Sequence, residues 1–130
     1  SLSNSLSNIS IILLVLICVA SIIILTELTS NTATASTFIP ILGATALGLG
    51  QDPLLLIIPA TLAASCAFMM PVATPPNTIA YASGHLKISD MIKAGIWLNI
   101  ISLIIIGVII ALILGPVFDV ELNKIPLWAK

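Results

Sequence analysis

The chain has 130 residues, with four Lys and Arg residues against five Asp and Glu residues, so its formal net charge is −1. Hydrophobic residues make up 59% of the sequence and charged residues 7%, whereas a soluble domain normally carries about 25% charged residues. These values exclude an ordinary soluble domain and a basic nucleic-acid-binding surface. They predict a multi-pass, all-helical protein of the lipid bilayer.

The first two apolar runs, residues 9–25 and 33–49, flank the polar stretch Thr26-Glu27-Leu28-Thr29-Ser30-Asn31-Thr32. Residues 1–8 form a polar lead without Lys or Arg, which argues against a signal peptide. The chain does not begin with Met and reads as a piece of a longer protein. We predict that residues 9–49 form a re-entrant hairpin with Ser-Asn-Thr at its tip. Two full spans joined by a tight external turn are the alternative.

The third apolar run covers residues 54–70, after a turn at Gly50-Gln51-Asp52-Pro53. It meets the second interruption, Pro71-Val72-Ala73-Thr74-Pro75-Pro76-Asn77-Thr78. Prolines 75 and 76 have no N–H and disfavour helix in the preceding residue. The sequence therefore predicts a broken transmembrane helix over residues 53–84, whose first part ends near Ala73.

The last part of the chain is predicted to comprise an interfacial segment that forms a short helix (85–93), a terminal transmembrane helix (94–116) and a tail (117–130). Gly115-Pro116 is expected to end the helix. His85, Lys87 and Lys93 lie near the 84–93 loop, and the positive-inside rule places such a loop in the cytoplasm. The C-terminus then lies outside, in a plasma (inner) membrane protein.

The two interruptions are the features that point to a function. Backbone groups left unpaired in hydrocarbon cost several kcal/mol each, so such breaks persist where they are buried or line a cavity. We expect each interruption to supply one carbonyl-rich helix end, suited to Na⁺, and one amide-rich end, suited to an anion. The alternative is that the polar residues only join helices and the prolines only form a kink.

Glu27 is the one charged residue of the first interruption. It either titrates, which would permit proton coupling, or organises the hairpin tip by hydrogen bonding, and we favour the structural role. Cys18 and Cys66 lie within apolar runs and are expected to pack passively. No motif of a hydrolase, metalloprotease or nucleotide-binding enzyme occurs in the sequence, so no enzymatic activity and no cofactor are predicted.

Two motifs resemble those of the divalent anion:sodium symporters. Thr26-Glu27-Leu28-Thr29-Ser30-Asn31-Thr32-Ala33-Thr34-Ala35 is similar to the second Ser-Asn-Thr signature of that family. Met70-Pro71-Val72-Ala73-Thr74-Pro75-Pro76-Asn77 is similar to its companion broken-helix motif, and the stretch from Ser83 to Asn99 also fits. The resemblance covers nearly the whole chain from residue 9.

This resemblance implies one C-terminal inverted-repeat half of a transporter. It implies substrate contacts from Asn31, Thr32 and Pro75, supported by Ser30, Thr74, Asn77 and Thr78. It implies a sodium site formed, partly through main-chain carbonyls, by Thr26, Thr29, Asn31 and Ala73. The intact Ser-Asn-Thr suits dicarboxylate transport, with citrate or sulfate as alternatives.

The N-terminal half of such a transporter, with the first Ser-Asn-Thr signature and the scaffold for dimerisation, is absent from the sequence. We therefore expect the chain to act within a larger protein, as part of an elevator-type, homodimeric symporter that couples Na⁺ to succinate-like di- or tricarboxylates. The alternatives are a sodium-independent anion exchanger of the same family and a non-transporting membrane subunit.

Overall fold

The computed structural model describes the backbone of residues 2–129 and the side chains of residues 10–129. Ser1 of the polar lead and Lys130 of the tail lie outside the described residues. The described chain is all-helical, as predicted. Its helices are α1 (Leu2–Thr26), α2 (Asn31–Gly48), α3 (Leu54–Ala64), α4 (Pro75–Ala82), α5 (Ile88–Leu112) and α6 (Leu114–Phe118), followed by a 3-10 turn at Leu127–Ala129.

Helices α1 and α2 form an antiparallel hairpin, and α3 packs against both. Val15 and Val19 of α1, Ala46 of α2 and Ala63 of α3 are at most 1% exposed. Small residues let helix backbones approach where lipid supplies no hydrophobic driving force. At Gly43 of α2, an added Cβ would lie 3.0 Å from an Ile57 side-chain atom of α3. The α2–α3 contact is therefore close.

The turn between α2 and α3 is joined to the C-terminal tail. Gly50 has φ +71°, a conformation that glycine adopts without steric cost, and Asp52 Oδ1 accepts from Leu54 N at 2.9 Å at the start of α3. The Gln51 amide donates to Asn123 Oδ1 at 2.9 Å and accepts from Asn123 N at 2.8 Å. The turn and the tail therefore lie at one end of the molecule.

Helix α3 ends at Ala64, so the prediction that it continues to about Ala73 is wrong. The residues that follow are apolar enough for a helix, but the N–H groups of Phe68, Met69 and Met70 bond to the Glu27 carboxylate. Those N–H groups therefore have no helical carbonyl partners. The apolar pattern continues past the end of α3 because apolar residues indicate that a segment is buried, not that it is helical.

A separate interfacial helix is also wrong, because residues 88–93 form the first turns of the continuous helix α5. Gly115-Pro116 do not end this helix but lie inside α6. The interruption comes at Ile113, because Pro116 has no N–H for the carbonyl of Leu112. The proline acts one turn before its own position.

Helix α5 is, within the described residues, the one helix long and apolar enough to cross a membrane, with a mean hydropathy of 2.6 in its most apolar window. Shorter apolar helices cover Ser10–Thr26 and Leu54–Ala64. Much of α5 is uncovered: Trp97, Ile104 and Leu112 are 68%, 61% and 67% exposed. This surface suits lipid or a further part of a larger protein.

Candidate functional site between two helix breaks

Two non-helical segments interrupt the helical packing. Break 1, residues 27–30, joins α1 to α2, and break 2, residues 65–74, joins α3 to α4. They correspond to the two interruptions expected from the sequence, with break 2 starting earlier than expected. The contacts that stabilise each break determine which groups are left for a ligand.

In break 1, Ser30 is the N-cap of α2. Its backbone is extended, with φ −68° and ψ 144°, and its Oγ accepts from Ala33 N at 3.1 Å. Its carbonyl accepts from Thr34 N at 2.9 Å. No acceptor within the described residues takes the N–H groups of Asn31 or Thr32. The start of α2 therefore presents two unused N–H groups and the positive end of an 18-residue helix.

Thr26 lies beneath this helix start, fully buried at 0% exposure. Its Oγ1 is 2.8 Å from the carbonyl oxygen of Ala64 and 2.9 Å from Oδ1 of Asn31. A hydroxyl carries one proton, so Thr26 donates to only one of these oxygens at a time. When it donates to Ala64, Oδ1 of Asn31 is left free to accept from, or to coordinate, another group.

Break 2 is organised by the carboxylate of Glu27, which is 2% exposed. Oε1 accepts from Phe68 N at 2.8 Å, Oε2 accepts from Met70 N at 3.0 Å, and both oxygens accept from Met69 N. The Asn99 side chain of α5 donates to Oε1 at 2.8 Å. Glu27 thus has the hydrogen-bonding role that the sequence favours, but it organises break 2 and not its own hairpin tip.

The carbonyl groups of break 2 are bonded by residues of α4. Asn77 Nδ2 donates to the carbonyls of Ala67 and Met70, each at 3.0 Å. Thr78 Oγ1 donates to the carbonyl of Pro71 at 2.6 Å. These two supporting residues, predicted from the resemblance, therefore hold the break in shape.

The start of α4 has no free N–H group comparable to that of α2. Pro75 and Pro76 have none, Asn77 N bonds Thr74 Oγ1 at 3.3 Å, and Thr78 N bonds the Thr74 carbonyl at 3.1 Å. The expectation that each interruption supplies an amide-rich helix end is therefore wrong for break 2. Proline is favoured at a first helical position because it lacks the N–H that would be unpaired there.

Helix α5 approaches break 2 closely at Gly95. A Cβ built on this glycine would lie 2.5 Å from Cα of Met69 and 2.6 Å from the carbonyl oxygen of Phe68. Both atoms belong to the backbone, so no side-chain movement would relieve the clash. Only glycine fits this position without displacing break 2.

Both breaks line one cavity of about 620 Å³. It brings together most of the candidate residues, namely Ser30, Asn31, Thr32, Ala73, Thr74, Pro75 and Asn77, and adds Ser65, Ala67, Phe68 and Pro76. Thr26 and Thr29 do not line it, and Thr78 lines an adjoining cavity with Ser30 and Thr74. No charged side chain is among the lining residues, so the wall offers hydroxyls, the two side-chain amides of Asn31 and Asn77, and N–H groups.

The sequence also matches a known protein family. The model described as the sodium:sulfate symporter transmembrane region matches residues 1–118. The chain belongs to the divalent anion:sodium symporter family. The recognition from the two sequence motifs is confirmed. Since the family consists of transporters, its member here is an integral membrane protein and not an enzyme.

Relatives in this family include transporters from two staphylococci. The sodium-dependent dicarboxylate transporter SdcS of Staphylococcus aureus is 44% identical over 121 residues, which are 93% of this chain and 23% of the relative. The protein of the same name from Staphylococcus saprophyticus is 38% identical over 117 residues, 90% of this chain and 22% of the relative. This symporter-family chain spans less than a quarter of their length.

Sequence reasoning missed four residues that line the cavity, Ser65, Ala67, Phe68 and Pro76, and two residues of α5 that support break 2, Asn99 and Gly95. An asparagine inside an otherwise apolar helix was a signal for Asn99, because a buried amide needs a partner. Gly95 carried no distinguishing signal, since glycine also occurs in helices without a close neighbour, as at Gly48.

Proposed function

We propose that this chain is the C-terminal part of a sodium-coupled secondary transporter for di- or tricarboxylates. In this proposal the cavity between the two breaks receives one carboxylate of the anion. The observation that carries the proposal is that the Ser-Asn-Thr start of α2 and the Thr-Pro-Pro-Asn start of α4 line the same cavity. The names of the staphylococcal relatives supply the substrate class.

The start of α2 is the part of the cavity that suits a carboxylate. The N–H groups of Asn31 and Thr32 are unused within the described residues, and the hydroxyl of Thr32 adds a donor. The helix dipole favours negative charge at this end. Pro75 closes the opposite wall without offering an N–H group. An anion held by neutral donors is released more readily than one paired with Lys or Arg.

The coupling Na⁺ fits beside this anion site. Na⁺ prefers oxygen ligands, which unwound helix ends in transporters supply. The hydroxyls of Thr26 and Thr29 are engaged with neighbouring oxygens. The carbonyls of Thr26, Thr29 and Ala73 take no donor from the described residues. With Oδ1 of Asn31, these carbonyls form an oxygen-only set, and we propose that they bind the ion.

The remaining parts of the proposed transporter belong to sequence outside this chain. We infer that an N-terminal half contributes the groups for the second carboxylate, and that the complete protein is an elevator-type homodimer. We further propose that the 84–93 loop is cytoplasmic, with the C-terminus outside. The Gln51–Asn123 contact supports placing the α2–α3 turn and the tail on one side.

A chimera tests the proposed function. The 121 matched residues of the Staphylococcus aureus transporter are replaced by this chain, and uptake of labelled succinate into liposomes is measured with Na⁺ or with K⁺. We expect uptake with Na⁺ and little with K⁺. Replacing Asn31 by Ala in the chimera is expected to weaken succinate binding about tenfold, because hydrogen bonds to a charged group are lost.

Three results would contradict parts of this proposal. A folded chimera that does not take up succinate, beside an active parent transporter, would exclude the transport function for this chain. Equal uptake with Na⁺ and K⁺ would replace sodium coupling by anion exchange. Wild-type succinate affinity in the Asn31→Ala chimera would contradict the site assignment.

A further inference from the structure

The carboxylate of Glu27 is the most heavily bonded side chain in the described structure, yet it does not line the cavity. It is 2% exposed and accepts hydrogen bonds from three consecutive backbone N–H groups, those of residues 68–70, and from Asn99. Every one of these partners is a donor. A carboxylate bonded in this way acts only as an acceptor, and neither oxygen faces a group that would take up a proton from it.

This buried charge has no cationic partner within the described residues, where the one ion pair joins Lys124 to Glu121. An ionised carboxylate in an apolar region is costly unless hydrogen bonds offset the loss of water. Here the offset comes from a backbone segment that itself needs acceptors, because its N–H groups are not in a helix. The charge and the segment therefore stabilise each other.

The same segment is fixed from its other sides. Asn77 bonds the carbonyls of Ala67 and Met70, and Gly95 lets α5 lie directly against Met69. Residues 68–70 are thus hydrogen-bonded by Glu27, next to the end of α1, and by Asn77 of α4, and α5 packs against them at Gly95. Three residues further along the chain lies Ala73, and then Thr74 and Pro75, which form the cavity wall facing Asn31.

We propose that Glu27 is a positioning residue of the transport site, acting through the backbone of Phe68–Met70 as a fixed hydrogen-bond acceptor. This inference rests on the proposed function. Its carboxylate keeps the Ala73–Pro75 wall in register with the start of α2, so that the anion and Na⁺ are bound together.

The test uses the full-length chimera with Glu27→Gln, an isosteric change that removes the charge and turns an NH₂ group toward backbone donors. Hydrogen exchange of the peptide containing residues 68–70 is measured, together with the KM for succinate and for Na⁺ and the pH profile of uptake. The matched control is Glu121→Gln, where the glutamate is 58% exposed and pairs only with Lys124.

We expect exchange at residues 68–70 to accelerate about tenfold or more in Glu27→Gln, because these amides lose charged acceptors. Both KM values should rise about tenfold at equal amounts of folded protein in the membrane. The pH profile should keep its shape. The Glu121→Gln chimera should match the parent chimera in all four measurements.

Each contrary result would overturn a specific part of the inference about Glu27. Unchanged exchange at residues 68–70 would show that the carboxylate does not hold the segment. Faster exchange with unchanged KM values would show that the segment does not position the site. A flattened pH profile would assign Glu27 to proton transfer. A parent chimera that folds but does not transport refutes the proposed function, while exchange still decides whether the carboxylate holds the segment.

A second variant applies if Glu27→Gln does not accumulate as folded protein. Asn99→Ala removes one donor and leaves the carboxylate with its three backbone partners. We expect faster exchange at residues 68–70 and KM values about threefold higher. Exchange and KM values equal to those of the parent chimera would overturn the inference.

Discussion

Break 1 and break 2 line the same cavity but are stabilised in different ways. Apart from those of Glu27, the hydrogen bonds of break 1 join residues three to five positions apart, such as Ser30 to Ala33 and Thr29 to Leu25. In break 2, the Glu27 contacts span 41 to 43 positions, and the Asn77 contacts join α4 back to the break. Apart from Glu27, break 1 is stabilised within its own sequence, whereas break 2 depends on Glu27 of break 1 and on Asn77 of α4.

This difference separates two tasks at one site. Break 1 spends few of its groups on its own stability and leaves N–H groups and an amide oxygen for ligands. Break 2 uses its N–H groups and several carbonyls in hydrogen bonds to Glu27 and to α4, and together with Pro75 and Pro76 it forms one wall of the cavity. Changes that disturb break 2 should therefore damage folding and transport together, and changes at Asn31 and Thr32, at the start of α2, should act mainly on ligand binding.

The largest effect is expected from Gly95→Ala in the chimera. The added Cβ meets Cα of Met69 and the carbonyl oxygen of Phe68, which belong to the backbone of break 2. We expect a loss of about 3 kcal/mol in stability and of about 100-fold in succinate uptake, since small displacements of binding groups are costly. Thermal unfolding in detergent and initial uptake rates measure the two effects.

Gly48→Ala is the matched control, because a Cβ at Gly48 of α2 meets no atom within 4 Å. Its unfolding temperature and uptake should equal those of the parent chimera. If Gly95→Ala were as harmless as Gly48→Ala, the close docking of α5 on break 2 would be wrong.

An intermediate effect is expected from Asn77→Ala. This change leaves the carbonyls of Ala67 and Met70 without their donor, at a cost of about 2 kcal/mol in the stability of the chimera. Asn77→Asp should be no better, since it puts an oxygen where the NH₂ group lies. Thermal unfolding compares both with Thr61→Ala, which removes only a hydroxyl bonded to Ile57 within α3. Wild-type stability in Asn77→Asp would contradict this role.

The same contrast explains how much the sequence could predict. The start of α2 at the Ser-Asn-Thr motif follows from capping, which acts over a few residues, and the structure has Ser30 as the cap. The end of α3 was predicted too late because its cause lies far away, in Glu27. A pattern of apolar residues up to Met70 does not show that Glu27, far away in the sequence, accepts hydrogen bonds from this segment.

The same distinction between local and long-range contacts applies to the site residues. Most of the side chains that line the cavity belong to the two motifs that resemble the symporter family, which combine Ser, Thr, Asn and Pro, residues whose backbone effects are local. Asn99 and Gly95 act only through tertiary contacts, so their importance appears when α5 is placed against break 2. Asn77 and Thr78 have a structural role because they donate to carbonyls of break 2. These acceptors could not be identified from the sequence.

The smallest effect is expected from Ser30→Ala. Ser30 Oγ accepts from Ala33 N at the exposed start of α2, and loss of such a cap costs about 1 kcal/mol. The freed N–H of Ala33 belongs to the first turn of α2, next to those of Asn31 and Thr32, and an anion at this helix start can accept from it. We therefore expect lower stability of the chimera. Succinate affinity should fall by less than about fivefold, the factor that corresponds to the whole cap energy.

Ser21→Ala is the control for this change, because the Ser21 hydroxyl bonds only to the carbonyl of Ile17 within α1. Thermal unfolding and succinate titration of the three chimeras decide the matter. A Ser30→Ala chimera as unstable as Asn77→Ala would mean that break 1 also depends on contacts beyond its own residues. The capping bond is local and exposed. The difference in thermal stability between the Ser30→Ala and Asn77→Ala chimeras therefore measures how differently the two breaks are stabilised.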